Sequence, residues 1–243
     1  MESKESPAPV TFFFVVLPFG ISNGFLGVTL PFVLTRAGFS VAAAGAIVAL
    51  GLSANLCNFL WAPVIDLTLS LRRWYLIGLA ACVSTLCLLG FMPLRQDAAI
   101  FLTAVAFLAQ VGSTLVSIPV TGLMAHTVPE GRKGRAAGWY QASNLGGNGF
   151  GGGAGVWLAS HYSPGVAGAV LAGSMVLCAL ALRFIPDVRP ITHERLWPRL
   201  RLMGKDLAAL VRSPIGRLTI VLVACPIGAA AMNNLWSAVA PDW

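Results

Sequence analysis

Asn55, Asn58, Ala62 and Asp66 follow one another at steps of three, four and four residues, and Gln110, Ser113, Ser117 and Thr121 repeat that spacing. Steps of three and four put each set on one face of a helix. Amides and hydroxyls at such positions offer hydrogen bonds to a polar solute; they do not offer a nucleophile or an acid–base pair. Ser22 and Asn23 stand beside Gly20, Gly24 and Gly27, whose missing side chains can open room around them. Near the far end, Asn233 and Asn234 follow Pro226-Ile227-Gly228 as Asn23 follows Pro18-Phe19-Gly20, with Pro226 lying 208 residues after Pro18. The candidate cavity residues are therefore Asn23, Asn55, Asn58, Gln110, Ser113, Ser117, Asn233 and Asn234. The competing reading of each is a hydrogen bond between packed helices, worth about 0.6 kcal/mol on average.

The elements that must carry these groups follow from composition. The 243-residue chain is 57% hydrophobic and 10% charged, with a mean hydropathy of +0.79, against about 45–50% apolar and ~25% charged for soluble domains. Seven apolar segments, 10–34, 41–65, 74–92, 98–123, 136–159, 164–185 and 218–240, have the roughly 20 residues that a helix needs to cross a bilayer core. This predicts an all-α integral membrane protein, with a six-span bundle over 1–185, a basic linker over 186–217 and a seventh span within 218–243. A membrane barrel would show ~10-residue alternating segments instead, and the first span lacks the short core and small-residue site of a cleavable signal. Interrupted apolar segments in corresponding positions of two halves point to a solute site between repeats.

Lys and Arg accumulate on the cytoplasmic side of membrane proteins. With the amino terminus inside, fourteen of the sixteen basic residues fall on that side and only Arg36 and Arg95 fall outside. The formal charge of +7 is then a property of membrane edges, and no nucleic-acid partner is expected. Within the linker, Leu196, Leu200, Met203, Leu207, Leu210 and Val211 alternate with Arg199, Arg201, Lys205 and Arg212, an amphipathic pattern suited to the bilayer surface. Pro198 fits its first turn and Pro214 its end.

Gly138, Gly147, Gly151 and Gly155 share a face of the fifth span, and small faces admit close helix packing. No phosphate-cradling glycine loop is present. Cys57, Cys82, Cys87, Cys178 and Cys225 lie in apolar spans without metal spacing, so no metal or other cofactor is expected. His126, His161 and His193 sit at span ends or in a loop, and Gly51-Leu52-Ser53-Ala54 is not a nucleophile elbow. An intramembrane enzyme is thus the rival reading, and a truncated subunit or sensor that does not transport is another.

Six spans, a long basic loop and a renewed seventh span resemble the amino-terminal half of a major facilitator superfamily transporter. Phe59-Leu60-Trp61-Ala62-Pro63-Val64-Ile65-Asp66 resembles the end of helix two in the branch of muropeptide permeases and acetyl-coenzyme A transporters. The resemblance implies alternating-access transport of a small polar solute, muropeptide import with protons being its suggested form, in a bacterial inner membrane. It also implies a cytoplasmic gate in which Asp66 pairs with Arg72 and Arg73 or a helix amino terminus. Gly138, Gly147, Gly151 and Gly155 resemble the antiporter motif, with Gly152 standing where that motif has proline and Phe107 where drug antiporters place an arginine. A missing carboxy-terminal half or a second copy is the partner implied.

Overall fold

A computed structural model describes residues 6–57, 61, 64–65, 68–188, 209, 212–214 and 216. Those residues are helical with no strand among them. α1 spans Thr11–Arg36, as α-helix to Gly24, a π-turn over Phe25–Thr29 and α-helix again from Leu30. α2 is Val41–Leu52, continued by a 3-10 turn over Ser53–Cys57; α3 is Leu71–Phe91, α4 Ala99–Thr127 and α5 Glu130–His161. α6 is Pro164–Ala179, continued by a 3-10 turn over Leu180–Phe184.

Four of these segments are long and apolar enough to cross a membrane: Thr11–Arg36, Leu71–Phe91, Gln96–Thr127 and Pro164–Phe184. α5 has the length, at 32 residues, but its glycine, asparagine and glutamine content sets it apart from the apolar four. In the second apolar segment, 41–65, the α-helix Val41–Leu52 passes into the 3-10 turn, and the described residues beyond it, Trp61, Val64 and Ile65, are again helical. Ser53 Oγ donates to the Leu50 carbonyl at 2.6 Å, and such local bonds compete with the helical ladder. The amphipathic linker pattern and the seventh span lie outside the described residues. At Ser213, whose Oγ accepts from Gly216 N–H at 2.9 Å, Pro214 falls in the position that opens a new turn rather than only ending one.

Local chemistry sets the helix ends. Ser40, Ser70 and Ser163 each accept from the backbone N–H three residues on, satisfying a donor left over at a helix start. α1 stops through Gly38, at φ +92°. Its N–H reaches the Thr35 carbonyl and the next N–H, of Phe39, reaches Leu34, the paired return of a Schellman end. In the described bundle α1 packs on α5, α4 and α6, α3 on α4 and α6, and α2 on α4 and the end of α1.

Candidate functional site

The seam between α1 and α5 is built from glycine on both sides. A Cβ at Gly20 would lie 2.8 Å from Gly147 Cα, one at Gly24 2.2 Å from the Asn148 carbonyl oxygen, and one at Gly151 2.2 Å from the Ile21 carbonyl oxygen. The room that Gly20 and Gly24 leave is therefore filled by α5 and is not open space. Gly155 faces Thr29, whose Oγ1 would stand 2.2 Å from a Cβ there. Thr29 Oγ1 donates to the carbonyls of Gly151 and Gly152 at 3.0 and 3.1 Å, and Ser143 Oγ to that of Phe13. Gly138 takes no part in this seam, because nothing lies within 4 Å of the position of its Cβ.

Across the other face of α4, Gln110 Nε2 donates to Asn55 Oδ1 at 2.9 Å. Two stripes that sequence spacing assigns to different helices thus meet through their amides. Gln110 is only 1% exposed, whereas Asn55 is exposed. Asn55 reaches this position from the 3-10 turn that ends α2. Ser113 is fully buried, and Ser117 shares a 2.7 Å hydrogen bond with Tyr140 of α5. Asn23 is half-buried on α1, one residue before Gly24 and the π-turn.

Asn58, Asp66, Asn233 and Asn234 lie outside the described residues. Arg72 and Arg73 begin α3, where the Arg72 backbone N–H points to Asp187 Oδ1 at 3.4 Å and Arg73 N–H to Ser70 Oγ. A carboxylate is favourable at that helix end. Asp187 was not legible as a partner in sequence, being 115 residues away. Tyr140 was also missed, since spacing along α5 does not show that its hydroxyl meets Ser117 of α4. Tyr75, whose hydroxyl donates to the Val15 carbonyl at 3.0 Å, was hidden within an apolar run.

Among the described residues no group of three or more His, Cys, Asp or Glu comes together. His161 Nδ1 lies 2.9 Å from the Trp157 carbonyl, and its ring stacks on Trp157. A groove of about 560 Å³ runs between the start of α2 and the start of α4, lined by Phe39, Ala43, Ile47, Leu50 and Ile100 among others. It is mainly apolar and includes none of the polar candidates above.

The helices, their length and their polar seams define a multi-pass membrane protein. The sequence model of the Major Facilitator Superfamily matches residues 12–242, nearly the whole chain, and the chain belongs to that family of secondary transporters. No curated protein matches it.

Proposed function

We propose that this chain carries a small polar solute across the membrane by alternating access, with the polar stripes of α2 and α4 facing the solute. The observation behind this reading is the Gln110–Asn55 amide pair, set within helices that contain no Asp, Glu, Lys or Arg between Val41 and Cys57 or between Ala99 and Thr127. A solute met there is recognised by neutral hydrogen bonds. Asn23, Asn58, Ser113, Ser117, Asn233 and Asn234 complete the lining in this reading. Asp66 closes the inner side with Arg72, Arg73 or the start of α3, and the amino terminus lies in the cytoplasm.

The finer assignment is muropeptide import coupled to protons in a bacterial inner membrane, with six spans followed by a seventh and the boundaries 1–185, 186–217 and 218–243. Its support is the resemblance of 59–66 to the muropeptide permease branch. A face of α5 supports a partner: positions Gly138, Gly146, Gly149 and Gly153 have open space around them, and a helix face of such small residues lets a neighbouring helix approach closely. A further six-helix half or a second copy of the chain covers it in this reading. The test is uptake of a radiolabelled muropeptide by membrane vesicles holding the natural protein. Accumulation above control vesicles, abolished by dissipating the proton gradient, is expected; no accumulation overturns the muropeptide assignment, and accumulation indifferent to the gradient overturns the coupling.

A further inference from the structure

We propose that an amide ladder on α5, Gln141, Asn144 and Asn148, is a third polar wall of the solute path and binds uncharged hydroxyl or amide groups of the solute. The inference rests on the transport reading above and extends it to residues outside the stripes of α2 and α4. Asn148 Nδ2 donates to the Asn144 carbonyl at 2.8 Å and to Asn144 Oδ1 at 3.0 Å, and Asn144 Nδ2 approaches Gln141 Oε1 at 3.5 Å. Side chains that tie these helices together bond across a seam, as Thr29 does to Gly151, Ser143 to Phe13 and Gln110 to Asn55. The three amides of α5 bond only along their own helix among the described residues. Gln141 is exposed and Asn144 and Asn148 are half-buried, so one side of the ladder is open. Asn148 stands 18 residues along a helix of 32, and an open amide at that depth is costly against lipid chains.

Tyr140 fixes where this face points. Tyr140, Asn144 and Asn148 follow at steps of four and share one side of α5, and the Tyr140 hydroxyl is 2.7 Å from Ser117 Oγ, in the stripe that carries Gln110. α4 ends at Thr127 and α5 begins at Glu130, so short a link making the two helices antiparallel. From the Ser117–Tyr140 bond, Gln110 lies seven residues along α4 and Asn148 eight along α5, and the two amides come to nearly the same depth. α1 borders the ladder between them: the Asn144 and Asn148 carbonyl oxygens lie 2.7 and 2.2 Å from the Cβ positions of Gly20 and Gly24, the glycines on either side of Asn23 in sequence.

The chemistry of the ladder sets the class of solute group it takes. No Asp, Glu, Lys or Arg lies between Ala136 and Ser160, so recognition here is by neutral donors and acceptors. An amide offers both, which suits a hydroxyl or another amide. Gln141 and Asn148 are seven residues apart, about 10 Å along the helix axis, so the solute that uses the whole ladder is extended and carries several such groups.

The experiment pairs thiol labelling with uptake in membrane vesicles holding the natural protein. With the native cysteines replaced, Gln141→Cys and Asn148→Cys are offered a membrane-impermeant reagent. Labelling at both, slowed by muropeptide, is expected, and none in Leu177→Cys on α6, where the side chain is 69% exposed. In Gln141→Ala and Asn148→Ala the KM for radiolabelled muropeptide should rise at least tenfold, with kcat within twofold and the melting temperature unchanged. Absence of labelling at 141 and 148 in every condition of solute and gradient, meaning that a partner helix closes over the ladder, would overturn the proposal. An unaltered KM in both alanine variants would overturn it as well. Should the unaltered protein take up no muropeptide, that solute assignment fails by itself, and labelling still decides the ladder: it stands if the reagent reaches 141 and 148 and falls if it does not.

Discussion

Gln110 Nε2 donates to Asn55 Oδ1 across 2.9 Å, tying the middle of α4 to the 3-10 turn that ends α2. The bond joins a buried amide to an exposed one, so it sits where a buried seam meets accessible space. Gln110→Leu keeps the volume, removes the donor and leaves an exposed oxygen that water can satisfy. Stability should fall by no more than about 1 kcal/mol. Uptake should fall at least tenfold, about 1.4 kcal/mol in kcat/KM. Parallel melting and uptake curves check the split; a large loss of stability with normal specific uptake would make the pair a packing device alone.

Gly24→Ala tests the α1–α5 seam. Its Cβ would stand 2.2 Å from the Asn148 carbonyl oxygen, and backbone cannot swing aside as a flexible side chain would. Overpacking of this kind costs about 1–3 kcal/mol. Gly173→Ala on α6, with nothing within 4 Å of the new methyl, is the matched control and should melt with the unaltered protein. Equal melting of the two variants would mean that α1 and α5 stand further apart.

Thr29 adds the polar part of the same seam. Thr29→Val removes the hydroxyl that reaches Gly151 and Gly152 and should cost about 0.6 kcal/mol, with ~1.7 as the upper end for membrane hydrogen bonds. Thr29→Ser should recover most of that loss. Because a Cβ at Gly155 would meet the same oxygen, Gly155→Ala and Thr29→Val should be non-additive. Additive melting losses in the double variant would separate the two contacts.

Much of this architecture was open to reading before any coordinates. Apolar length marked α1, α3, α4 and α6, and Ser40, Ser70 and Ser163 stood where helix starts need an acceptor. What spacing could not show was partnership. Gly20 and Gly24 read alone as openings, yet α5 brings its own glycines into them, and nothing local in α1 names that neighbour. The amide partner of Asn55 was hidden for a similar reason, because Gln110 stands on α4, 55 residues away. Ser22 and Ser113 stood out in sequence as polar groups within apolar spans; only the fold shows that both are fully buried.

Tyr75→Phe removes a hydroxyl that donates to the Val15 carbonyl, beside the path of α1 into the bundle. The loss of one such bond should lower stability by about 0.5–1.5 kcal/mol and leave uptake per folded protein unchanged. A fall in uptake without a fall in melting temperature would assign Tyr75 to the transport path instead.

Asp66→Asn probes the proposed inner gate. The substitution keeps the shape of the side chain and removes its charge, so gradient-driven uptake should drop while the protein still reaches the membrane. Undiminished uptake and gating would remove Asp66 from the mechanism.

The central claim is that the polar stripe of α4 faces water while the apolar surface of the same bundle faces lipid. With Cys57, Cys82, Cys87, Cys178 and Cys225 replaced, single cysteines at Gln110, at Ser117 and at the 69%-exposed Leu177 can be offered a membrane-impermeant thiol reagent in intact membranes. The account predicts labelling at 110 and 117, slowed by bound solute, and none at 177. Protection of 110 and 117 equal to that of 177, in every condition of solute and gradient, would contradict it.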